Sequence, residues 1–192
     1  MNLAVLISGR GSNFSSLVDA QKKGQIGVAD IKILISNNAS AKGIDYAKKN
    51  KIPFFVLSDK EWESEIVSLL EKHKIQLVCL AGFMRIISPE LINFMKGWIV
   101  NIHPSLLPAF PGLNVHQRVL ESKFPFSGCT VHWVDEGVDT GPIIDQRVVP
   151  VLKGDDEEKL SSRILKEEHK LYPSVVKKIA DGDFVPFFME EK

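Results

Sequence analysis

The sequence predicts an α/β fold with one doubly wound, mostly parallel sheet, an antiparallel strand pair near its C-terminal end and a long C-terminal helix. Short apolar, β-branched runs alternate with helical patterns over residues 1–100. The runs are apolar on both faces, as strands of a sheet covered on both sides are. After residue 128 the alternation stops. At 192 residues, we expect one domain over residues 1–192.

The N-terminal half contains five strand patterns and four helix patterns in alternation. In the first helix pattern, Phe14, Leu17 and Val18 mark one apolar face. In the fourth, Ser88 and Pro89 are typical of an N-cap and a first helical residue. The predicted strands are residues 3–8, 31–36, 53–58, 76–82 and 98–103, and the predicted helices are residues 12–24, 40–50, 61–74 and 88–95.

The C-terminal part follows a different pattern. The runs at 128–135 and 142–151 are joined by the turn-rich "EGVDTG", which predicts an antiparallel pair. Residues 155–182 have the pattern of a long amphipathic helix that is acidic at its start and basic towards its end, as the helix dipole favours.

Composition excludes several classes of partner. The 24 Lys and Arg residues balance 24 Asp and Glu residues, so no bulk charge favours nucleic acid or a membrane surface. Cys79 and Cys129 lie in apolar runs without a Cys-x-x-Cys motif. No run approaches the roughly 20 apolar residues of a membrane span. We therefore expect a cytoplasmic protein that binds small molecules, with no nucleic-acid or membrane partner.

Ligands of such sheets bind beyond the carboxyl ends of the strands, where the strand order reverses. This rule selects the loops that follow Ser8, Ser36, Ser58, Gly82 and His103. Two of these loops carry chemically distinctive residues.

The first loop is "SGRGSN", residues 8–13, between the first strand and the first helix. Gly9 and Gly11 permit close backbone approach, and the N–H groups at the helix start form an anion site. Ser12 and Asn13 could cap the helix or donate to a phosphate. The loop is too short for a Walker A motif and lacks the third glycine of a dinucleotide fingerprint. We predict a site for one phosphate; a tight turn with an ordinary cap is the alternative.

The second loop begins with "NIHPSLLPAFPG". Because side chains alternate along a strand, Asn101 and His103 point to the same face. An amide and an imidazolium can both donate to one oxygen, as an oxyanion hole requires. The prolines fix several φ angles and make the loop rigid. The alternative is that both side chains only satisfy neighbouring backbone groups.

A third polar segment is "VDEGVDTGP", residues 134–142, which offers the carboxylates of Asp135, Glu136 and Asp139. A carboxylate beside His103 would raise the pKa of the imidazole and could relay a proton. A solvated acidic turn is the alternative, and the residues alone do not choose among the three carboxylates.

Other chemistries have weaker support. His103, His116 and His132 do not have the spacing of a structural metal site, so we predict no metal. Ser8 and Ser105 lack the Gly-x-Ser-x-Gly elbow of a serine hydrolase.

Four segments together resemble the phosphoribosylglycinamide formyltransferases, the folate-dependent glycinamide ribonucleotide transformylases of the formyltransferase superfamily. These are "LISGRGSNF", "LAGFMRIISPELI", "NIHPSLLPAFPG" and "GCTVHWVDEGVDTGPII". The resemblance extends from residue 3 to about residue 182. The Asn-x-His-Pro-Ser-Leu-Leu-Pro element is typical of the wider superfamily, and the early glycine loop narrows the match to this family.

The resemblance implies a Rossmann-like transferase of purine biosynthesis. It would move the formyl group of 10-formyltetrahydrofolate to the amine of glycinamide ribonucleotide, through a tetrahedral oxyanion and without a metal. It implies small-molecule partners only, in a monomer or weak homodimer. Residues up to about 100 would bind phosphate, and those from about 101 to 192 would carry catalysis and folate binding.

The resemblance also assigns roles to particular residues. Asn101, His103 and Asp139 match the catalytic trio, whereas Leu165 stands where some relatives have a polar substrate contact. The substrate-binding matches are Gly11, Ser12, Asn13 and Glu168, and the folate-binding matches are Met84, Arg85, Ile86, Ile87, Asp135, Glu136, Gly137 and Val138.

Rival interpretations keep the fold but change the function. One is another formyltetrahydrofolate-dependent formyltransferase, or a hydrolase, on the same scaffold. A methionyl-tRNA formyltransferase would be expected to carry a further C-terminal domain and a basic surface. The other rival is a noncatalytic nucleotide-binding module, whose ligand binding would be indifferent to folate.

Overall fold

The computed structural model describes residues 1–58 and 60–186, and it contains a seven-stranded mixed sheet flanked by six helices. The strands are β1 (Asn2–Ile7), β2 (Asp30–Ser36), β3 (Phe54–Val56), β4 (Leu77–Leu80), β5 (Ile99–His103), β6 (Phe126–Trp133) and β7 (Ile143–Pro150). The helices are α1 (Ser12–Lys22), α2 (Gly43–Lys49), α3 (Trp62–Lys72), α4 (Pro89–Phe94), α5 (Val115–Ser122) and α6 (Glu157–Asp181).

The strand order is β3-β2-β1-β4-β5-β6-β7. The first five strands are parallel, and β6 runs antiparallel to both β5 and β7. The predicted fold class and the predicted β6–β7 pair are therefore confirmed. β3 is shorter than expected, because only Phe54–Val56 pairs with β2 at the sheet edge.

Two apolar layers cover the sheet. Residues of α1, α2, α5 and α6 form one layer, and residues of α3 and α4 form much of the other. Along β5, Val100 and Ile102 join the first layer, whereas Ile99 joins the second. Asn101 and His103 therefore share the face of Ile99, as strand alternation predicts.

Local sequence signals account for the helix ends. Ser88 Oγ accepts from the Leu91 N–H at 3.3 Å and Pro89 opens α4, so the predicted N-cap is confirmed. Asp156 caps α6 by accepting from the Lys159 N–H at 2.8 Å, and Gly182 ends that helix in the left-handed conformation.

Tyr172 attaches α6 to the centre of the sheet. Its buried hydroxyl lies 2.9 Å from the Leu80 carbonyl oxygen and 3.2 Å from that of Val100, at β4 and β5. Glu168, one turn earlier on the same face of α6, is thereby held beside α1.

The strand order reverses between β1 and β4, and the loops after these strands touch. The Ser8 N–H donates to the Gly82 carbonyl at 3.0 Å, and Ser8 Oγ accepts from the Met84 N–H at 2.7 Å. This contact is the point at which doubly wound folds bind ligands. Within residues 1–58 and 60–186, no helix has the length and apolar character to cross a membrane.

Candidate active site

The glycine loop brings the start of α1 against the start of α2. Gly11 is the N-cap of α1 at φ 70°, and no side chain caps the helix. A Cβ at Gly11 would lie 2.8 Å from the Gly43 Cα, and a Cβ at Gly43 would lie 2.3 Å from the Ile7 Cδ1. The backbone clash and the left-handed φ require glycine at position 11, whereas a Cβ at Gly43 would have to displace the end of the Ile7 side chain. The first-turn N–H groups of α1 have no intrahelical acceptors, and such groups are able to donate to an anion.

Asn13 and Glu168 form a buried pair behind this helix start. Asn13 Nδ2 donates to Glu168 Oε2 at 2.8 Å, with the two residues 9% and 6% exposed. Burial raises the pKa of Glu168, although the Asn13 hydrogen bond and the charge of Arg10 act in the opposite direction. Asn13 Oδ1 has no hydrogen-bond partner among the described residues. The structure thus brings Gly11, Ser12, Asn13 and Glu168 together.

At the carboxyl end of β5, the two predicted donors converge on one anion. His103 Nδ1 lies 3.1 Å from Asp139 Oδ2, and Asn101 Nδ2 lies 3.4 Å from Asp139 Oδ1. His103 Nε2 donates to the Phe110 carbonyl at 2.9 Å. Both ring nitrogens of His103 therefore face acceptors, so this arrangement fully satisfies an imidazolium.

His132 is a site residue that the sequence reasoning did not identify. Its Nδ1 lies 2.7 Å from the Trp133 carbonyl, which can only accept, so the proton is on Nδ1. Its Nε2 lies 3.2 Å from Asn101 Nδ2 and 3.6 Å from Asp139 Oδ1, between these two side chains. The β5–β6 register places His132 directly opposite Asn101, which is not visible from the spacing of the two residues along the chain.

Asp139 is ionised by its surroundings. Burial opposes ionisation, but contact with His132, the Gly112 N–H at 2.8 Å and the charge of His103 together hold the pKa of Asp139 below its ordinary value. Asp139 also has a left-handed backbone, with φ 57°. The carboxylate is thus available as a proton acceptor near neutral pH.

The pKa of His103 is lowered overall, because burial outweighs the expected effect of Asp139. Burial lowers the pKa of His103, and the Phe110 carbonyl and the Asp139 charge raise it by less. The charges of His132 and Arg118 lower the pKa of His103 further. The Asp139 carboxylate does favour the charged ring as expected, but a nearly enclosed imidazole loses more solvation than one carboxylate returns.

Of the three candidate carboxylates, Asp139 contacts His103. Asp135 Oδ1 accepts from the Gly137 N–H at 3.1 Å and from Thr140 Oγ1 at 2.7 Å, so it stabilises the loop itself. Glu136 is exposed. Because β6 is antiparallel, loop 134–142 starts at the amino end of β5, where the Val134 N–H donates to the Ile99 carbonyl. It then folds back over the sheet and brings Asp139 to the other end.

The segment matched to folate binding presents an exposed apolar surface. Met84 and Ile86 are 62% and 72% exposed, and Val138 in loop 134–142 is 52% exposed. Ile87 differs, because its side chain is buried in the layer beneath α3 and α4. Its backbone alone is left to face a ligand.

Arg85 points towards α3. Its guanidinium lies 5.2 Å from the centre of the Trp62 ring, and its Nη1 donates to the Ser58 carbonyl at 3.4 Å. Trp62 in turn packs against Phe83 at 5.9 Å between ring centroids. Sequence reasoning did not single out Trp62.

The hydroxyl of Thr130 fixes the proline-rich loop through hydrogen bonds. Thr130 Oγ1 donates to the Ser105 carbonyl at 2.6 Å, and it accepts from the Leu107 N–H at 3.1 Å and from Gln146 Nε2 at 2.8 Å. Leu107 is buried and precedes a cis proline, Pro108. These contacts provide the rigidity expected from the prolines, through two strand residues that spacing did not reveal.

No group of three or more His, Cys, Asp or Glu side chains within residues 1–58 and 60–186 has an arrangement that could hold a metal ion. Cys79 and Cys129 are both free and buried, and burial raises the pKa of each thiol to about 12.

Residues 1–176 match the family model described as formyl transferase. The chain is 39% identical to phosphoribosylglycinamide formyltransferase of Escherichia coli (strain K12), over 95% of this chain and 88% of that protein. It is 48% identical to the trifunctional purine biosynthetic protein adenosine-3 of Drosophila pseudoobscura pseudoobscura, over 94% of this chain. It spans only 14% of the length of that trifunctional relative.

Solved structures show the same architecture. Glycinamide ribonucleotide transformylase 1 of Symbiobacterium toebii superimposes with a TM-score of 0.93 at 39% identity, over 96% of this chain and 90% of that chain. Phosphoribosylglycinamide formyltransferase of Anaplasma phagocytophilum gives a TM-score of 0.90 at 44% identity, over 95% of this chain and 88% of that chain.

Proposed function

The chain belongs to the formyl transferase family, and to the phosphoribosylglycinamide formyltransferases within it; on that premise we propose that it transfers a formyl group from 10-formyltetrahydrofolate to glycinamide ribonucleotide in de novo purine biosynthesis. The observation that carries this proposal is the convergence of the Asn101 amide and the His103 imidazole on one anionic group, at distances of 3.4 and 3.1 Å. Two donors arranged in this way suit the oxyanion of acyl transfer.

The acceptor substrate binds across the switch point. Its phosphate lies at the start of α1, against the first-turn N–H groups and the side chains of Ser12 and Asn13. Glu168 contacts the rest of the acceptor. Since β1 and β5 are two strand spacings apart, roughly 10 Å, a nucleotide-sized molecule bound by its phosphate can reach His103 with its amine.

The formyl folate lies on the other side of His103. Met84 and Ile86 supply exposed apolar surface, together with the backbone of Arg85 and Ile87. The opposite wall is loop 135–138, made of Asp135, Glu136, Gly137 and Val138. Exposed apolar side chains beside polar backbone suit a flat heterocycle with donors and acceptors on its edge.

The reaction needs one carbon–nitrogen bond to form and one to break. The acceptor amine attacks the formyl carbon, and the formyl oxygen becomes an oxyanion that accepts from Asn101 and the imidazolium of His103. As this oxygen gains charge, it competes with Asp139 for the same donors. The freed carboxylate takes the proton of the attacking nitrogen, and water relays that proton from Asp139 to the folate nitrogen as the oxyanion collapses and the bond from the formyl carbon to that nitrogen breaks.

A direct assay tests the proposal. The purified protein is mixed with glycinamide ribonucleotide and 10-formyltetrahydrofolate, and the change in folate absorbance is followed together with the formylated product. We expect turnover that requires both substrates. Absence of turnover with both substrates present would contradict the proposal.

The same assay separates the rivals. Loss of the formyl group without an amine acceptor would identify a hydrolase. Binding of the ribonucleotide that is indifferent to folate, without product, would identify a nucleotide-binding module. Turnover with another amine but not with glycinamide ribonucleotide would identify a different formyltransferase.

A further inference from the structure

Arg118, on α5, contacts three residues of the loop that follows His103. Its Nη1 donates to the Pro111 carbonyl at 2.5 Å and lies 3.3 Å from the Leu113 carbonyl. Its guanidinium carbon lies 5.8 Å from the centre of the Phe110 ring, within the range of a cation–π contact. The resemblance assigns Arg118 no role.

The residues that Arg118 contacts lie in the same stretch as the backbone groups that bond to His103 and Asp139. The Phe110 carbonyl accepts from His103 Nε2 at 2.9 Å, and the Gly112 N–H donates to Asp139 Oδ2 at 2.8 Å. A change in the path of residues 110–113 would therefore move the partners of His103 and Asp139 together.

This stretch of backbone does not hold its shape by local preference. Phe110 has a left-handed φ angle of 57°. Such a conformation costs a residue with a side chain roughly 1–2 kcal/mol, and it persists only where the surroundings enforce it. The three contacts made by Arg118 supply part of that enforcement.

The charge of Arg118 acts on the same imidazole. Within the described part of the chain, Arg118 forms no ion pair with a carboxylate, so its charge is not cancelled locally. The titratable groups facing His103 are Asp139 from loop 134–142, His132 from β6, and Arg118 and His116 from α5. Asp139 favours the protonated ring, and the other groups oppose it.

We propose that Arg118 is a positioning residue for formyl transfer, which sets the Phe110 carbonyl and the Gly112 N–H in place for His103 and Asp139 and keeps a positive charge near the imidazole. The inference rests on the proposed function, since it assumes that His103 acts on the formyl oxygen. A group that gains and loses a proton in each turnover works best when its pKa lies near the working pH. Together with burial, the charge of Arg118 counters the effect of Asp139, so that His103 is not held permanently charged.

Two substitutions separate the positional effect from the charge effect. Arg118→Lys keeps the charge but cannot make the same bonds to two carbonyls and a ring. Arg118→Gln keeps amide donors but removes the charge. Gln117→Ala, at the neighbouring exposed position of α5, is the matched control, since the Gln117 side chain bonds to Glu121 and not to the loop.

The first readout is the titration of His103, followed by nitrogen NMR of the histidine rings and assigned with His103→Gln. Arg118→Gln should move the His103 midpoint upward, because a neighbouring positive charge has been removed. Arg118→Lys and Gln117→Ala should leave it close to that of the unaltered protein. This readout does not depend on whether the protein transfers formyl groups.

The second readout is kcat in the formyl transfer assay. Both Arg118 variants should lose about tenfold or more, since a small misplacement of reacting groups can cost up to about a hundredfold. Gln117→Ala should be unaffected. An unchanged His103 midpoint in Arg118→Gln, or an unchanged kcat in Arg118→Lys, overturns the proposal. If the unaltered protein shows no transfer, the proposed function fails, and the titration still decides whether Arg118 acts on His103.

Discussion

The carboxyl ends of β1 and β5 lie two strands apart in one sheet, and they present chemistry in different ways. At β1 the polar groups are mainly backbone N–H groups, exposed because Gly11 and Gly43 bring two helix starts into contact. At β5 they are side chains, Asn101 and His103, oriented by a facing strand and a returning loop. Backbone N–H groups suit the binding of an anion whose charge does not change during the reaction. Titratable side chains suit reactions in which protons move.

The two regions also shift the pKa of a carboxylate in opposite directions. Glu168 behind the glycine loop is nearly enclosed, and its pKa is raised because burial raises it more than one amide donor lowers it. Asp139 beside β5 is also partly enclosed, but its pKa is lowered because several donors face it. The number of donors around each carboxylate, and not burial alone, decides the direction in which its pKa is shifted.

The strongest test of this difference removes side chains at β5. His103→Ala and Asp139→Asn should each lower kcat by at least about a hundredfold, the size of a lost proton-transfer or oxyanion interaction. Asn tolerates the left-handed backbone at position 139, so that variant keeps the loop. His73→Gln, on the C-terminal end of α3, is the control. Near-normal turnover in either site variant would remove that residue from the mechanism.

A smaller effect is expected from the backbone site at β1. Gly11→Ala adds a Cβ 2.8 Å from the Gly43 Cα in a left-handed conformation, at a cost of roughly 1–2 kcal/mol before the clash. The KM for glycinamide ribonucleotide should rise about tenfold or more, with a smaller change in kcat. In Gly9→Ala the new Cβ meets nothing within 4 Å. Equal KM values for the two variants would show that the glycine loop does not bind the acceptor.

A stability measurement examines Glu168. Its folded-state pKa is raised above the unfolded value of about 4.3, so the stability contributed by the protonated group is complete below that pH and is lost as the pH rises through the raised pKa. Glu168→Gln has no such loss. The melting temperature of the variant relative to the unaltered protein should therefore increase with pH across this window. A constant difference would mean that the pKa of Glu168 is the same in the folded and unfolded states.

The smallest effect, with the opposite sign, is expected at Asp139. Its folded-state pKa is lowered, so its stabilisation is present above the unfolded value of about 3.9 and is lost as the pH falls through the folded value. The advantage of the unaltered protein over Asp139→Asn in urea denaturation should shrink below about pH 4. An advantage that grows as the pH falls would contradict the lowered pKa.

Some features of the site were predictable from the local sequence pattern alone. Strand alternation placed Asn101 and His103 on one face, and the Ser88–Pro89 signal marked the start of α4. The glycine loop was predicted as an anion site because a strand, a short turn and a helix start are all encoded within "LISGRGSN", and this stays a prediction.

Other features were not predictable, because they depend on contacts between elements that are distant in the chain. His132 contacts Asn101 through the antiparallel β5–β6 register, and Arg118 reaches the loop from α5. Asp139 reaches His103 because loop 134–142 folds back over the sheet. None of these contacts has a signature in residue spacing, because each depends on how separate elements pack.

Local sequence patterns predict the order of strands and helices, the doubly wound class, the glycine loop and the orientation of the two β5 donors. These follow from periodicity and from backbone rules that act over a few residues. Only the tertiary structure decided that Asp135 supports its own loop and that burial outweighs Asp139 in setting the pKa of His103. Solvation and cross-strand register are properties of the folded surroundings, and a local stretch of sequence does not contain them.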